Sequence, residues 1–184
     1  MKWAYDNKVL VGTYDGIKLC DIASSNKAQT QLFLDRTAKA LELIKRYDTR
    51  RSHRIQKRLD YVVNYPCLSG AEYGHPLHVC KVDLSKYTFE GDEDWWVLLL
   101  ARVLVHEATH GSIIAWGITH DEKHRLRVER LCHEEDTRFA RRIRPDDDGD
   151  EFDEMWYRDY YQTGRWRRAV KTIKHASRRD KPAV

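Results

Sequence analysis

The fold class this chain predicts is α+β, a small domain with a mixed or antiparallel sheet packed against two consecutive helices. Three observations carry it. Short β-type segments gather in the first half, around the turn dipeptide Asp15-Gly16 and again over residues 59–65 and 77–84. A nearly continuous apolar run, Trp95 to Val105, sits inside a longer helical pattern. A second helical pattern follows directly and is stopped by Pro145.

Taken in order, Lys8 to Cys20 reads as a hairpin, with "VLVGTY" and "IKLC" flanking Asp15-Gly16. Ser24, Ser25 or Asn26 caps a helix reaching about Tyr47, whose positions Phe33, Thr37, Ala40, Leu41 and Ile44 recur at helical spacing and face a core. The basic stretch "RYDTRRSHRIQKR" then leads into a strand, Leu59 to Tyr65, ended by Pro66. The Gly/Pro-containing segment "CLSGAEYGHP" reads as a loop before a strand over Leu77 to Leu84. That strand puts Leu77, Val79, Lys81 and Asp83 on one side and His78, Cys80, Val82 and Leu84 on the other. One mixed face suits a sheet edge better than a centre.

The best-defined element comes next. Gly91 precedes an acidic first turn, Asp92-Glu93-Asp94, which complements the positive end of a helix dipole and offers capping oxygens. The helix is expected to be buried on most sides and to end near Gly117. The following helix starts around Asp121 and runs to about Arg144. An aromatic-rich helix, "FDEMWYRDYYQTGRWRRAVKTI", closes what is expected to be a single domain over residues 1–184, with a basic tail over 165–184.

Composition bounds the function. A length of 184 residues is enough to bury a core without staples, and a charged fraction of 34% is that of a polar globular chain. No run reaches the roughly eighteen apolar residues of a membrane span, so no membrane partner is expected. The N-terminal "MKWAYDNKVLVGTYDG" lacks an apolar stretch and cleavage site of signal-peptide type, which predicts a cytoplasmic location, with export as an effector left open. Cys20, Cys67, Cys80 and Cys132 show no C-x-x-C spacing, arguing against a zinc ribbon or a thioredoxin-like motif and for free thiols. An acidic run at Asp146 to Glu154 and a basic one at Arg165 to Lys181 read as solvated faces. The alternative is a tail that binds nucleic acid, with Trp166 stacking on a base.

The chemistry is concentrated in His106-Glu107-Ala108-Thr109-His110. Histidines four apart on a helix share a face, so both imidazoles can reach one metal ion, and the glutamate between them can take a proton from water there. Chance alone would give H-E-x-x-H in roughly 3% of such chains, so it is the helical, apolar context that raises its weight. A catalytic zinc takes three protein ligands and keeps one position open. Glu129, nineteen residues after His110 on the next helix, is the third candidate, since a turn through Gly117 brings the two helices antiparallel. It lies in a polar stripe with Glu122, Leu126, His133 and Asp136. His120, His124 and His133 are rivals. Asp136 or a backbone carbonyl is the candidate partner orienting a ligating histidine.

With these residues the chain resembles the zincin metallopeptidases, and among them the gluzincins, which pair H-E-x-x-H with a glutamate on the following helix. The resemblance covers about forty residues, Val103 to Arg142. It implies His106, His110 and Glu129 as zinc ligands, Glu107 as general base, and a small zincin-like domain. The metzincin extension fails, because Ile113 replaces its glycine and Trp116 its third histidine. The thermolysin-type glutamate motif is also incomplete, with Val128 and His133 where Asn and Asp would stand. Ser112 occupies a place where many zincins carry an apolar residue.

The expected activity is therefore hydrolysis of peptide bonds in a peptide or protein substrate, with zinc as cofactor. Tyr73, His75, His78 and His133 are candidates for stabilising the oxyanion, and Leu77 to Leu84 for pairing with an extended substrate. Two other readings compete. One is a zincin-like module that binds metal without cutting, and the other is a nucleic-acid-associated protein acting through the basic tail.

Overall fold

A computed structural model of the chain describes residues 9–67, 69–87, 92–118 and 124–146, all within one compact unit. The fold class is α+β: among the described residues, four helices and an open five-stranded mixed sheet. The helix expected over 152–173, the basic tail, and the acidic run beyond Asp146 lie outside the described residues. So do His120, Asp121 and Glu122.

Strands β1 (Leu10–Tyr14) and β2 (Ile17–Asp21) form the expected antiparallel hairpin. Its turn needs positive φ at both central residues, and Asp15 (46°) and Gly16 (83°) supply it. Helix α1 (Lys27–Tyr47) begins where the Asn26 side chain accepts from the Gln29 amide at 3.0 Å, while Gln29 Oε1 accepts from the Ser25 amide at 2.9 Å. The two contacts form a reciprocal cap. The five positions read as core-facing, Phe33, Thr37, Ala40, Leu41 and Ile44, are its buried residues.

The basic stretch after Tyr47, to which the sequence reading assigned no element, is ordered. It is a second helix, α2 (Thr49–Arg58), capped by Asp48 accepting from the Arg51 amide at 3.0 Å. Its inner side carries Ile55 but also a buried arginine, Arg51, which pairs with Asp48 and, at 3.2 Å, with Glu135.

Strand β3 (Tyr61–Asn64) matches expectation, whereas the loop after Pro66 contains a short strand, β4 (Ala71–Gly74), before β5 (Val79–Val82). The order is β1-β2-β3-β5-β4, with β2, β3 and β5 parallel and the outer strands antiparallel. The 77–84 segment is thus corrected: β5 lies between β3 and β4, and the edge is β4. Lys81 is tolerated inside the sheet because β4 brings Glu72 to 2.8 Å of its ammonium. Asp83 accepts from the Cys67 amide at 3.3 Å. The alternation along β5 holds, with Cys80 and Val82 facing the main core beneath the helices and Val79 joining Tyr61, Val63 and Cys20 on the other face.

Helix α3 (Glu93–Ala115) runs through this core, contributing Leu100, Ala101, Leu104, Val105 and Ala108 at 2% exposure or less. Asp92 caps it by accepting from the Asp94 amide at 3.0 Å. Its end is a Schellman turn: Gly117 at φ 76° donates to Ile114 O at 2.9 Å and Ile118 to Ile113 O at 3.2 Å. By length and composition α3 could cross a membrane, which the sequence reading did not anticipate, but 72% of that window is buried inside the chain. Helix α4 (Arg125–Ile143) packs along α3 and ends before Pro145, as read, with Phe139 reaching the core.

Candidate metal centre

The site forms where α3 and α4 face each other. On α3, His106 and His110 lie one turn apart with ring centroids separated by 5.0 Å. On α4, Glu129 Oε2 lies 3.4 Å from His106 Nε2 and 3.4 Å from His110 Nε2. For a tetrahedral zinc with bonds of about 2.0–2.1 Å to N and O, two ligand atoms stand about 3.4 Å apart. The two Glu129–histidine spacings therefore match two ligand edges of such an ion. The three side chains are largely enclosed, at 15%, 9% and 12% exposure respectively for His106, His110 and Glu129.

Asp136 supplies the orienting contact. Its Oδ2 lies 3.0 Å from His106 Nδ1, leaving Nε2 turned toward Glu129. Its Oδ1 accepts from Arg102 Nε at 3.1 Å and Nη2 at 3.0 Å. The chain Arg102–Asp136–His106–Glu129 thus crosses the helix interface three times. This carboxylate stands two turns along α4 from Glu129, and the sequence reading had named it among the possible partners of a ligating histidine. Arg102 was missed, although its signal is visible: it is the one charged residue in Trp95–Val105, placed one turn before His106.

The electrostatics follow from packing carboxylates around imidazoles. Burial alone would lower the His106 pKa, but hydrogen bonds to Asp136 and Glu129 and the charges of Glu107 and Asp136 raise it to about 10. Burial would raise Glu129, yet hydrogen bonds from both histidines hold it well below the usual carboxylate range. Glu107, at 6% exposure, shifts upward, chiefly through burial and also through Glu129 and Glu72, against the pull of the two imidazoles. The pocket therefore calls for positive charge, which a proton on imidazole or a divalent cation can meet.

The other candidate residues divide. Tyr73 on β4 packs against α3 beside the motif: a Cβ built at Gly111 would lie 2.9 Å from its Cζ and Oη atoms, so glycine there permits the contact. Its hydroxyl donates to Arg58 O at 3.5 Å. His75 and His78 sit on the β4–β5 connection with ring centroids 6.2 Å apart, and His78 lies 3.6 Å from Asp60. Among the rival ligands, His124 is at the N-cap of α4, and His133 Nδ1 stands 3.9 Å from Asp136 Oδ2. Ser112 is explained by its hydroxyl bonding Ala108 O at 3.1 Å within the helix. One further donor went unremarked at the sequence level. The Sγ of Cys132 and one imidazole nitrogen from each of His106 and His110 all lie within 4.8 Å of one another. Its signal is the spacing of three from Glu129, which puts both on one face of α4. Compared with protein-family models, with curated proteins and with solved structures, the chain finds no match.

Proposed function

We propose that this chain is a zinc-dependent peptidase of gluzincin type, with His106, His110 and Glu129 as ligands and Glu107 as general base. The observation that carries the reading is the approach of one Glu129 oxygen to both imidazole Nε2 atoms at 3.4 Å. A bound divalent cation would supply Lewis acidity, polarising a carbonyl and making water easier to deprotonate. Glu107 takes a proton from water as its oxygen bonds to the carbonyl carbon, then delivers that proton to the amine nitrogen as the C–N bond breaks. Asp136 keeps His106 in the tautomer that leaves Nε2 free for ligation. The substrate strand pairs with β4, the antiparallel edge beside α3, through main-chain hydrogen bonds. Tyr73, on that strand and against Gly111, and His133, beside Asp136, remain the candidate oxyanion donors. The four described cysteines are buried thiols outside any disulfide, which suits action in a reducing compartment such as the cytoplasm.

Metal content by mass spectrometry, beside cleavage of a peptide library, tests the reading. Zinc is expected in the parent and in Glu107→Gln, and reduced in His110→Ala and Glu129→Ala. Hydrolysis by Glu107→Gln should fall roughly 10²–10⁴-fold, the usual contribution of a general base. A parent that takes up no zinc after incubation with it would overturn the assignment.

A further inference from the structure

We propose that Cys132 is a fourth protein donor to this centre, making it a His/His/Glu/Cys site that is closed at rest and selective for zinc-like cations. The inference rests on the metal-centre reading above and deepens it. Helix α4 presents Glu129 and Cys132 on the same side, three residues apart and both buried, toward the histidine pair on α3. Cys132 has no exposed surface and packs with Ile113 and Val128, so its thiol has an apolar wall behind it and imidazoles in front. Among the described residues, it is the cysteine that stands within metal-ligand reach of both histidines.

Bond lengths decide what ligation requires. With Zn–S of about 2.3 Å and Zn–N of about 2.0–2.1 Å, a tetrahedral N···S edge is about 3.6 Å. The sulfur and one nitrogen of each histidine lie within 4.8 Å of one another, so each N···S edge has to close by no more than about 1.2 Å. On ligation the S–H bond breaks, the proton leaves to solvent, and the thiolate lone pair enters the metal's shell; no oxidant is involved.

Two consequences follow. A soft thiolate narrows the occupant to zinc, cobalt or a similar ion and disfavours manganese, which the His/His/Glu set alone accepts. Four protein donors also complete the shell of a structural zinc site. A reacting water then enters only when Cys132 leaves or the shell expands to five. Cys132 thereby acts as a latch, exchanging metal retention for turnover.

The test uses the full chain, stripped of metal with a chelator and titrated with cobalt(II). The proposal expects visible ligand-field bands together with a near-ultraviolet thiolate-to-cobalt band. Cys132→Ser and Cys132→Ala should lose the near-ultraviolet band while keeping the visible ones, and should bind zinc at least about tenfold more weakly. X-ray absorption on the zinc-loaded parent needs no variant, and should find a sulfur scatterer at about 2.3 Å. Visible bands without the near-ultraviolet band in the parent would overturn the role of Cys132 and leave the His/His/Glu centre standing. A thiolate band that survives in both variants would overturn it as well. Failure of the parent to bind cobalt or zinc would overturn the metal centre itself.

Discussion

Replacing Asp136 with asparagine separates two jobs that one carboxylate performs. The side chain is 7% exposed, accepts from Arg102 at 3.0 and 3.1 Å, and meets His106 Nδ1 at 3.0 Å. Asparagine keeps the shape and removes the charge. Leaving a buried charge without its partner costs about 3–5 kcal/mol when the pair is fully enclosed. The Arg102 side chain retains 14% exposure and an amide oxygen can still accept one bond, so a loss of about 2–3 kcal/mol is expected. The second job, on the metal-centre reading proposed above, is to orient His106 as a ligand. Loss of the group that orients a ligating histidine typically weakens binding by roughly 10–100-fold, or about 1.4–2.7 kcal/mol. Urea unfolding of the metal-free protein measures the first quantity, and competition for zinc against a coloured chelator measures the second. A variant that loses stability but binds zinc within about threefold of the parent would show Asp136 to be an ion-pair partner of Arg102 and nothing more. A variant unchanged in both would refute the α3–α4 geometry from which the argument starts.

Asp48→Asn should cost about 2–3 kcal/mol at neutral pH, because asparagine preserves the cap on α2 but leaves Arg51, at 9% side-chain exposure, with Glu135 as its remaining carboxylate. Burial opposes ionisation of Asp48, but hydrogen bonds from the Arg51 amide and guanidinium, and the charges of Arg51 and Arg142, hold its pKa below the ordinary 3.8. Its contribution is therefore complete above that value and is lost as pH falls through the lower folded-state value, so urea midpoints of parent and variant should converge in acid. A gap that stays constant with pH would contradict this. Gly111→Ala should destabilise by about 1–2 kcal/mol, since a Cβ 2.9 Å from the Tyr73 ring outweighs the helix-propensity gain of about 1 kcal/mol. In a Tyr73→Ala background the same change should become neutral or stabilising, and a double-mutant cycle without coupling would rule the contact out.

How legible each part was depends on whether apolar residues mark it. The first helix declared its buried face through Phe33, Ala40, Leu41 and Ile44, and α3 declared both its ends through Asp92 and Gly117. Helix α2 did not, because its inward face includes a charged residue: Arg51 is buried against Asp48 and Glu135, and only Ile55 follows the hydrophobic rule. Strand β4 is four residues of partial burial, one of them glycine, too short for any alternation to register. Misplacing the sheet edge came from the same source. Lys81 and Asp83 imply solvent when read singly, whereas the structure gives each a specific partner from a neighbouring segment. In the site, H-E-x-x-H was plain in the sequence and the polar stripe of α4 named Glu129 and Asp136, but Arg102 and Cys132 carry no motif. Their roles depend on how α4 lies across α3.

The two charged clusters bordering α4 differ in a way that separates scaffold from site. Around Asp48 and Glu135 the arginines are in surplus: Arg51, Arg54, Arg138 and Arg142 all approach those two carboxylates at 3.2 Å or less. That network closes on itself and ties α2 to α4. At the histidines the balance is reversed. Glu107, Glu129 and Asp136 are all buried; Asp136 takes Arg102, while Glu129 is met by two imidazoles that carry charge only when protonated. Enclosing carboxylates on these terms costs stability that an apolar helix contact would have supplied. Protons on the imidazoles offset part of that cost, as the raised pKa of His106 and the lowered pKa of Glu129 indicate. The divalent cation proposed above would offset it further, from the position that brings one Glu129 oxygen equally close to His106 and His110.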